Sequence, residues 1–368
     1  MGHAGFFVFA AFSIAVAHKI VCRVISEGAV AAILPLSEGS NSAYAAAAFV
    51  ESVAQKAIIP SVRFDERTLK GPGHAISLIA PFAARSDAVV AFIRREGWED
   101  VVLLYNTEDE FIDLTQIISA SNFGRPYRCH LVKLATDVRP ALKHVKNTYA
   151  NPRFVVHVAL AKIQPLLVAA AEFGLCGTMN HYVMLHWDTP LLDPTNTSTT
   201  EHCNITTFSL FDRDVLAPKF RHMTVLDAVW KDTLSVLNSS LSSVRYRGRP
   251  QCDRSWIDGS VITKAMFDVK TTGITGRISV NHWGGRSNFT IHICKKKGRK
   301  LHKYAEWSSS SGKGEVSDNN FAVGDHWEVL HRGVWPREGV ELGEIAWEEV
   351  VLRELYKGRM RRYSHTAK

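Results

Sequence analysis

Short apolar runs alternate with helix-like stretches along most of the chain. An apolar run of about 4–8 residues is typical of a buried strand, whereas a longer segment with apolar residues on one face is typical of a helix. The predicted strands are residues 30–35, 57–61, 100–105, 129–135, 154–157 and 181–186. The predicted helices are residues 43–55, 87–96, 111–119, 138–148 and 161–173. This alternation is typical of a doubly wound α/β protein with mostly parallel sheets.

The β/α unit starts again after residue 125, which predicts two similar lobes and not one continuous sheet. Gly97 and Gly174 are expected to end the helices that precede them. Pro165 lies in the predicted helix 161–173, and proline is tolerated only in the first turn of a helix. We therefore expect Pro165 to lie in the first turn of this helix.

The C-terminal third contains three strand-like runs, at residues 276–280, 288–294 and 301–307. Glycines surround the first run, and glycine permits tight turns that other residues adopt only under strain. Apolar and polar residues alternate within 288–294, as in a half-buried strand. Taken alone, these runs predict a three-stranded meander.

The composition is that of a globular protein with one large or two medium domains, since 46% of the 368 residues are hydrophobic and 22% are charged. No apolar run approaches the roughly 20 residues that span a bilayer, so we predict no membrane span in this chain. Residues 6–16 are apolar except for Ser13, and Ala15-Val16-Ala17 has the form of a cleavage site. This favours a secretory signal peptide at 1–17; a buried helix or strand is the alternative.

Glycosylation sequons occur at four asparagines, which are Asn196, Asn204, Asn238 and Asn288. Together with the signal peptide they indicate an oxidising, extracellular compartment, where disulfides also form. The six cysteines show no CxxC pair and no Cys/His spacing of a zinc site. One or two disulfides are therefore favoured over a metal, and we expect no cofactor.

The net charge of +8 is concentrated near the end of the chain, at residues 295–303 and 357–368. Basic clusters of this kind can bind nucleic acid, but the first surrounds a turn between strands, where solvated charge is ordinary. We expect no nucleic-acid partner. No motif of a hydrolase, metalloprotease, P-loop or dinucleotide-binding enzyme is present, so an enzyme is not expected. His181 and His186 flank a strand and are interpreted as satisfied polar groups and not as a metal site.

Several segments resemble the amino-terminal domain of ionotropic glutamate receptors, the kainate-like branch in particular. The similarity extends over residues 17–312, about four fifths of the chain. The segments that carry it are the strand Gly273-Ile-Thr-Gly-Arg-Ile278, the turn at Gly285-Arg286, Asn288-Phe-Thr290, the strand that ends at Trp307, the helix around Cys22, the strand 28–35, Ser40-Asn-Ser42, and Gly97-Trp98 before the strand that ends at Tyr105.

This resemblance implies the two-lobed fold of type I periplasmic-binding proteins, each lobe a mostly parallel sheet with flanking helices. The implied first lobe is 18–97 with 213–288, and the second is 98–212 with 289–312. The first strand and most of the first helix of the family have no counterpart here. The basic segment 313–368 is unlike the family, and no agonist-binding or pore segment follows. We therefore expect at most an isolated amino-terminal domain.

The resemblance also implies a disulfide between Cys22 and Cys252; two unpaired buried thiols are the alternative. Ser37, Ser40 and Ser42 lie in a loop whose counterpart in related small-molecule receptors of this fold binds a ligand carboxylate. We include these serines and Tyr105 as candidate ligand contacts, although N-capping alone explains the serines.

The implied function is subunit assembly or partner recognition by an extracellular domain, with a homo- or heterodimer of receptor subunits formed through helical faces at 43–53 and 87–93. The full-length relatives lie in the plasma membrane at synapses. Two alternatives remain open: a soluble extracellular protein that binds an amino acid between its lobes, and a truncated receptor product that does not function.

Overall fold

The computed structural model describes residues 14–27, 29–34, 41–64, 66, 75–124, 126–192, 200, 202–213, 216, 221–245, 250–252, 254–297, 300–309, 315–317 and 321–322. All of them belong to one compact unit, residues 1–324. A second unit, 325–368, lies outside the described residues, as do residues 1–13 with most of the predicted signal peptide.

The first sheet contains three parallel strands in the order β1, β2, β3. These are β1 (Ala32–Leu34), β2 (Ser61–Arg63) and β3 (Ala75–Ser77). Ile33 pairs with Val62, which pairs in turn with Ile76. Helix α1 (Ile14–Ser26) precedes β1, and α2 (Asn41–Lys56) connects β1 to β2. Parallel neighbours require a crossover connection, and α2 supplies it.

The large sheet contains nine strands in the order β5, β4, β6, β7, β8, β12, β13, β14, β15. The first five are parallel: β4 (Asp100–Tyr105), β5 (Arg128–Lys133), β6 (Arg153–His157), β7 (His181–Met184) and β8 (Asn204–Ser209). The other four are antiparallel: β12 (Thr290–Lys297), β13 (Lys300–Ser308), β14 (Glu315–Ser317) and β15 (Phe321–Ala322). The predicted α/β fold is confirmed, with a larger antiparallel share than the sequence indicates.

The connecting helices are α3 (Phe82–Arg95), α4 (Glu108–Ala120), α5 (Arg139–Thr148) and α6 (Leu160–Glu172). Helices α7 (Val225–Ser243) and α8 (Ile257–Phe267) follow β8. Two of the six begin with a capping box, in which Thr107 pairs with Glu110 and Thr224 pairs with Asp227. Pro165 lies beyond the first turn of α6, so its predicted position was wrong. The helix continues through it because five of its neighbours along the helix are buried against the sheet.

The core of the large sheet is formed by the central parallel strands, which are apolar on both faces as burial between helices requires. Phe154 and Tyr182 from neighbouring strands stack with ring centroids 4.5 Å apart, and both are fully buried. Each such side chain contributes about 1.5–3 kcal/mol by leaving water. The central position of β4, β6 and β7 therefore follows from their composition.

The predicted meander at 276–307 was wrong, because its runs belong to different sheets. The first run, β10 (Gly276–Val280), pairs with β9 (Thr271–Gly273) and β11 (Arg286–Ser287) in a small antiparallel sheet. The later runs, β12 and β13, pair with each other and join the large sheet through β8. Asn288 lies between the two sheets with a φ of +53°, a conformation that asparagine adopts more readily than most residues.

The predicted dimer face at 87–93 was also wrong. Helix α3 begins at Phe82, five residues before the predicted start, and its residues from Ala88 to Ile93 are all buried within the chain. A helix face that is buried within its own chain is not available to another subunit. In the second half of α2, Ala48 is exposed, and Phe49 and Val50 are half-buried.

The turn between β9 and β10 depends on a buried carboxylate from α7. Asp232 is 3% exposed and accepts hydrogen bonds from the backbone N–H groups of Ile274 (2.7 Å) and Thr275 (2.9 Å), and from the Thr275 hydroxyl. A Cβ at Gly273 would lie 2.2 Å from this carboxylate, and Gly276 has a φ of +82°. The Gly-x-Thr-Gly pattern therefore has a structural reason.

Replacement of Asp232 by alanine is expected to destabilise the fold by about 3 kcal/mol, because it leaves the buried Thr275 N–H and the half-buried Ile274 N–H without acceptors. Urea unfolding of the purified domain measures this. Asp268→Ala removes an exposed carboxylate nearby and is expected to change stability by less than about 0.5 kcal/mol. Equal costs for the two variants would contradict the role of Asp232.

Candidate functional site

The carboxyl ends of β4, β6 and β7 face residues that flank the first sheet, and a cluster of polar side chains lies where they meet. In α/β folds, ligands bind at this edge of the parallel strands. Glu66 and the first turns of α3 come from one side. His157 at the end of β6 and the segment that follows β7 come from the other. This cluster is the candidate functional site.

Arg85 is the central residue of the cluster, and it is 3% exposed. Its guanidinium donates to the carbonyl oxygen of Leu185 at 2.6 Å and to Oε2 of Glu66 at 2.5 Å. It also lies over the rings of Phe82 and Trp187, at 4.4 and 4.6 Å from their centroids. A buried cation is stable only when a negative charge, hydrogen-bond acceptors and aromatic rings nearby compensate for the water it has lost.

Glu66 receives a second hydrogen bond, from the indole N–H of Trp187 to Oε1 at 2.7 Å. Burial raises the pKa of the Glu66 carboxyl, and the Arg85 guanidinium and the Trp187 N–H oppose that rise. Burial likewise lowers the pKa of Arg85, which Glu66 opposes. We call Glu66, Arg85 and Trp187 the latch, since they join residues beside the first sheet to residues after β7.

A second pair lies beside the latch, with Nε2 of His157 and Oδ2 of Asp113 3.0 Å apart. The His157 ring also contacts Phe82, with centroids 5.1 Å apart. His186 accepts a hydrogen bond at Nδ1 from the backbone N–H of Asp188 at 3.1 Å. The polar groups at this edge are thus largely paired with one another, and their arrangement joins segments of the chain.

Two of the predicted ligand contacts, Ser37 and Ser40, lie outside the described residues. Ser42 lies in the first turn of α2. Tyr105 ends β4, and its half-buried ring packs on Phe111 with centroids 5.3 Å apart. Its backbone pairs in register with His157, which places it at the same edge of the sheet as the cluster. Its role as a ligand contact stays a prediction.

The structure contains two disulfides, Cys22–Cys252 and Cys176–Cys203. The first joins α1 to the segment before α8, and it is the pair that the resemblance implies. The second closes a short loop between α6 and β8; the sequence left this pair open. Burial raises the pKa of the Cys129 thiol, which is outside both bridges, to about 12.

The sequons differ in their surroundings. Asn196 lies outside the described residues. Asn238 is exposed on α7, and Asn288 is half-buried between the two sheets. Asn204 begins an inner strand, and its Nδ2 donates to the carbonyl oxygens of Thr178 (2.9 Å) and Asn180 (3.2 Å). Asn238 therefore offers a glycan the most room of the three described sites.

Sequence reasoning missed the latch. Its signal is weak: Arg85 is a charged residue in a mostly apolar stretch, and Trp187 follows a predicted buried strand. Glu66 lies in a polar segment and has no distinguishing pattern. These three residues are separated by up to 121 positions, so only the folded chain shows that they meet.

A family model described as "Receptor family ligand binding region" matches residues 21–299. The chain belongs to this family. It is also 34% identical over 312 residues to a kainate-type ionotropic glutamate receptor of Caenorhabditis elegans, glr-3, and that alignment covers 78% of this chain. The chain spans 36% of that receptor's length.

These two similarities confirm the resemblance that the sequence shows, and they support a receptor amino-terminal domain. None of the described helices is both long enough and apolar enough to cross a bilayer. The family is named for ligand binding. The polar groups at the strand ends of this member are paired with one another, and this pairing bears on whether it binds a ligand.

Replacement of Arg85 by methionine is expected to destabilise the domain by about 3–5 kcal/mol, because the Glu66 carboxylate would remain buried without its partner. The double variant with Glu66→Gln should recover part of this loss. A double-mutant cycle from urea unfolding measures the coupling. Arg23→Met breaks an exposed pair with Glu27 and should cost less than about 1 kcal/mol. An Arg85→Met cost as small as this would contradict the latch.

Two histidines are expected to make the stability of the fold depend on pH. Burial lowers the pKa of both His181 and His186 to about 4, so below pH 6.5 the unfolded chain binds protons that the folded chain does not. Stability from these groups is complete above about pH 6.5 and decreases as the pH falls toward 4, by at most about 3 kcal/mol for each histidine. His181→Gln should flatten this dependence in urea unfolding between pH 7.5 and 4.5. His144→Gln, at an exposed position, should leave it unchanged.

Proposed function

We propose that this chain is the extracellular amino-terminal domain of a kainate-type glutamate receptor subunit and that it serves subunit assembly or partner recognition. The observation that carries this proposal is the latch. Arg85, the buried cation at the edge of the strands, would suit a ligand carboxylate, but its guanidinium already binds Glu66 and the Leu185 carbonyl. A ligand acid would have to displace a buried ion pair.

The same cluster supports a function without catalysis. Catalysis by a nucleophile needs a hydroxyl, thiol or amine activated by a neighbouring base. The described groups beside the latch are a His–Asp pair and the half-buried His186, and their hydrogen bonds are made to carboxylate and backbone groups. We infer that their role is structural.

Two features support the extracellular setting. Disulfides persist in oxidising compartments, and the domain has two of them. Asn238, a sequon asparagine, is exposed on the surface of α7. The relative is a kainate-type receptor, and we extend that description to this chain as part of the proposal.

The surface that we propose for assembly is the outer face of the second half of α2, where Ala48 and Ser52 are exposed and Phe49 and Val50 are half-buried. The resemblance implies dimer formation at 43–53, and of the two implied faces only this one remains accessible. It has few charges, as the centre of an interface requires.

Sedimentation of the secreted domain is expected to show a dimer whose population rises with concentration. Ala48→Glu places a charge on the proposed face and should weaken dimerisation by at least about tenfold. Ala150→Glu makes the same change at an exposed turn after α5 and should have no effect. A strict monomer at high concentration, with no partner subunit bound, would contradict the assembly function.

The same protein tests the alternative, a soluble protein that traps an amino acid. A ligand that binds only the folded state raises its thermal midpoint. We expect no rise across a panel of amino acids. A rise that depends on concentration would replace the assembly proposal with ligand binding.

A further inference from the structure

The disulfide Cys22–Cys252 has a histidine beside it. The Nε2 and Nδ1 atoms of His18 lie 3.6 and 3.7 Å from Sγ of Cys22. Among the described residues, His18, Cys22 and Cys252 are the group of three metal-binding side chains whose ligand atoms all lie within 4.8 Å of one another. Two thiolates and an imidazole suit Zn²⁺ and similar thiophilic cations.

We propose that reduction of this disulfide creates a site for one thiophilic divalent cation, held by Cys22, Cys252 and His18. The proposal does not depend on the assembly function. A disulfide cannot supply two thiolates, so metal binding requires the reduced state. The oxidised and reduced states would thus differ in their affinity for the cation.

The arrangement of His18 and Cys22 fits such a site. The two residues are four positions apart on α1 and therefore lie on one face of the helix. In a tetrahedral zinc site, a sulfur at about 2.3 Å and a nitrogen at about 2.0 Å from the metal are roughly 3.5 Å apart. The observed nitrogen–sulfur distances are close to this value, so the imidazole needs little movement.

The position of the imidazole is supported by a neighbour. Phe49 of α2 contacts the His18 ring edge to face, with centroids 6.3 Å apart. His18 is exposed, and both cysteines are half-buried, so a cation and the water that would complete its coordination can reach the group. With three protein ligands, the fourth position of a tetrahedral site stays open.

The second disulfide offers a matched contrast. Cys176 and Cys203 are 8% and 2% exposed, and among the described residues no histidine or carboxylate completes a group of three with them. Reduction there yields two buried thiols without a third ligand. We therefore expect reduction of Cys22–Cys252, but not of Cys176–Cys203, to create a metal site.

The chemical step can be written in full. A water-soluble phosphine reduces the bridge, and the sulfur–sulfur bond accepts two electrons while phosphorus is oxidised to a phosphine oxide with the oxygen of one water. The two hydrogens of that water become the two thiol protons. Binding of a divalent cation then releases these protons to the solvent, so affinity rises with pH.

The experiment uses the secreted chain, reduced with a phosphine under nitrogen and freed of excess reductant. Cobalt(II) is the probe, because thiolate ligation gives a sulfur-to-cobalt absorption band. We expect one cobalt per chain with this band in the reduced protein and none in the oxidised protein. Zinc should displace it and should raise the thermal midpoint of the reduced chain.

Four variants test the ligands. His18→Ala should weaken binding by more than the roughly 10- to 100-fold that loss of an outer-shell partner costs, and His18→Cys should restore it. Cys22→Ser with Cys252→Ser should abolish the band. Cys176→Ser with Cys203→Ser should retain it. Circular dichroism establishes that each reduced variant is folded.

Two results would overturn the proposal. One is a reduced, folded wild-type chain that shows no cobalt–thiolate band and no zinc-dependent thermal shift. The other is a His18→Ala variant that binds as tightly as the wild type, which would leave the cysteines without the histidine as a third ligand.

Discussion

The burial of Arg85 is the constraint on which the meeting of the two sheets depends. A guanidinium that is 3% exposed must have its charge balanced and hydrogen-bond acceptors supplied within the protein. The partners that do so come from separate segments: the Glu66 carboxylate, the Leu185 carbonyl, and the rings of Phe82 and Trp187. Because each partner has its own place in the fold, this single cation fixes α3 against the end of β7. Its pairing also determines whether the strand ends can bind a ligand carboxylate.

A second buried arginine, in β11, also joins separate segments of the chain. Arg286, 3% exposed, donates to the carbonyl oxygens of Leu78 (3.0 Å), Thr275 (2.6 Å) and Arg277 (3.1 Å). Burial lowers its pKa to about 10, so it remains a cation at neutral pH. It ties the small β9–β11 sheet to β3, while Asp232 closes the turn between β9 and β10. The chain enters the large sheet at Thr290, four residues after Arg286.

These contacts bear on function because they occupy the groups that recognition of a small anion would need. The family is a ligand-binding one, and the position of the edge at the strand ends is the ordinary place for a ligand. Here a carboxylate from the chain itself is bound to the buried cation. Because Glu66 already occupies Arg85, we prefer assembly to ligand binding as the proposed function.

The sequence by itself determined the local elements and the class of the fold. Strand β4 has the predicted bounds, and α2, α4, α5 and α6 lie within a few residues of their predicted positions, because apolar periodicity acts over neighbouring residues. Motifs such as Gly-Ile-Thr-Gly-Arg-Ile also sufficed to indicate the family. Tertiary structure decided which strands pair, why the runs at 276–307 separate into two sheets, why 88–93 is buried, and how Glu66 meets Arg85 and Trp187. Those outcomes rest on hydrogen bonds and desolvation between distant segments, and no local pattern in the chain encodes them.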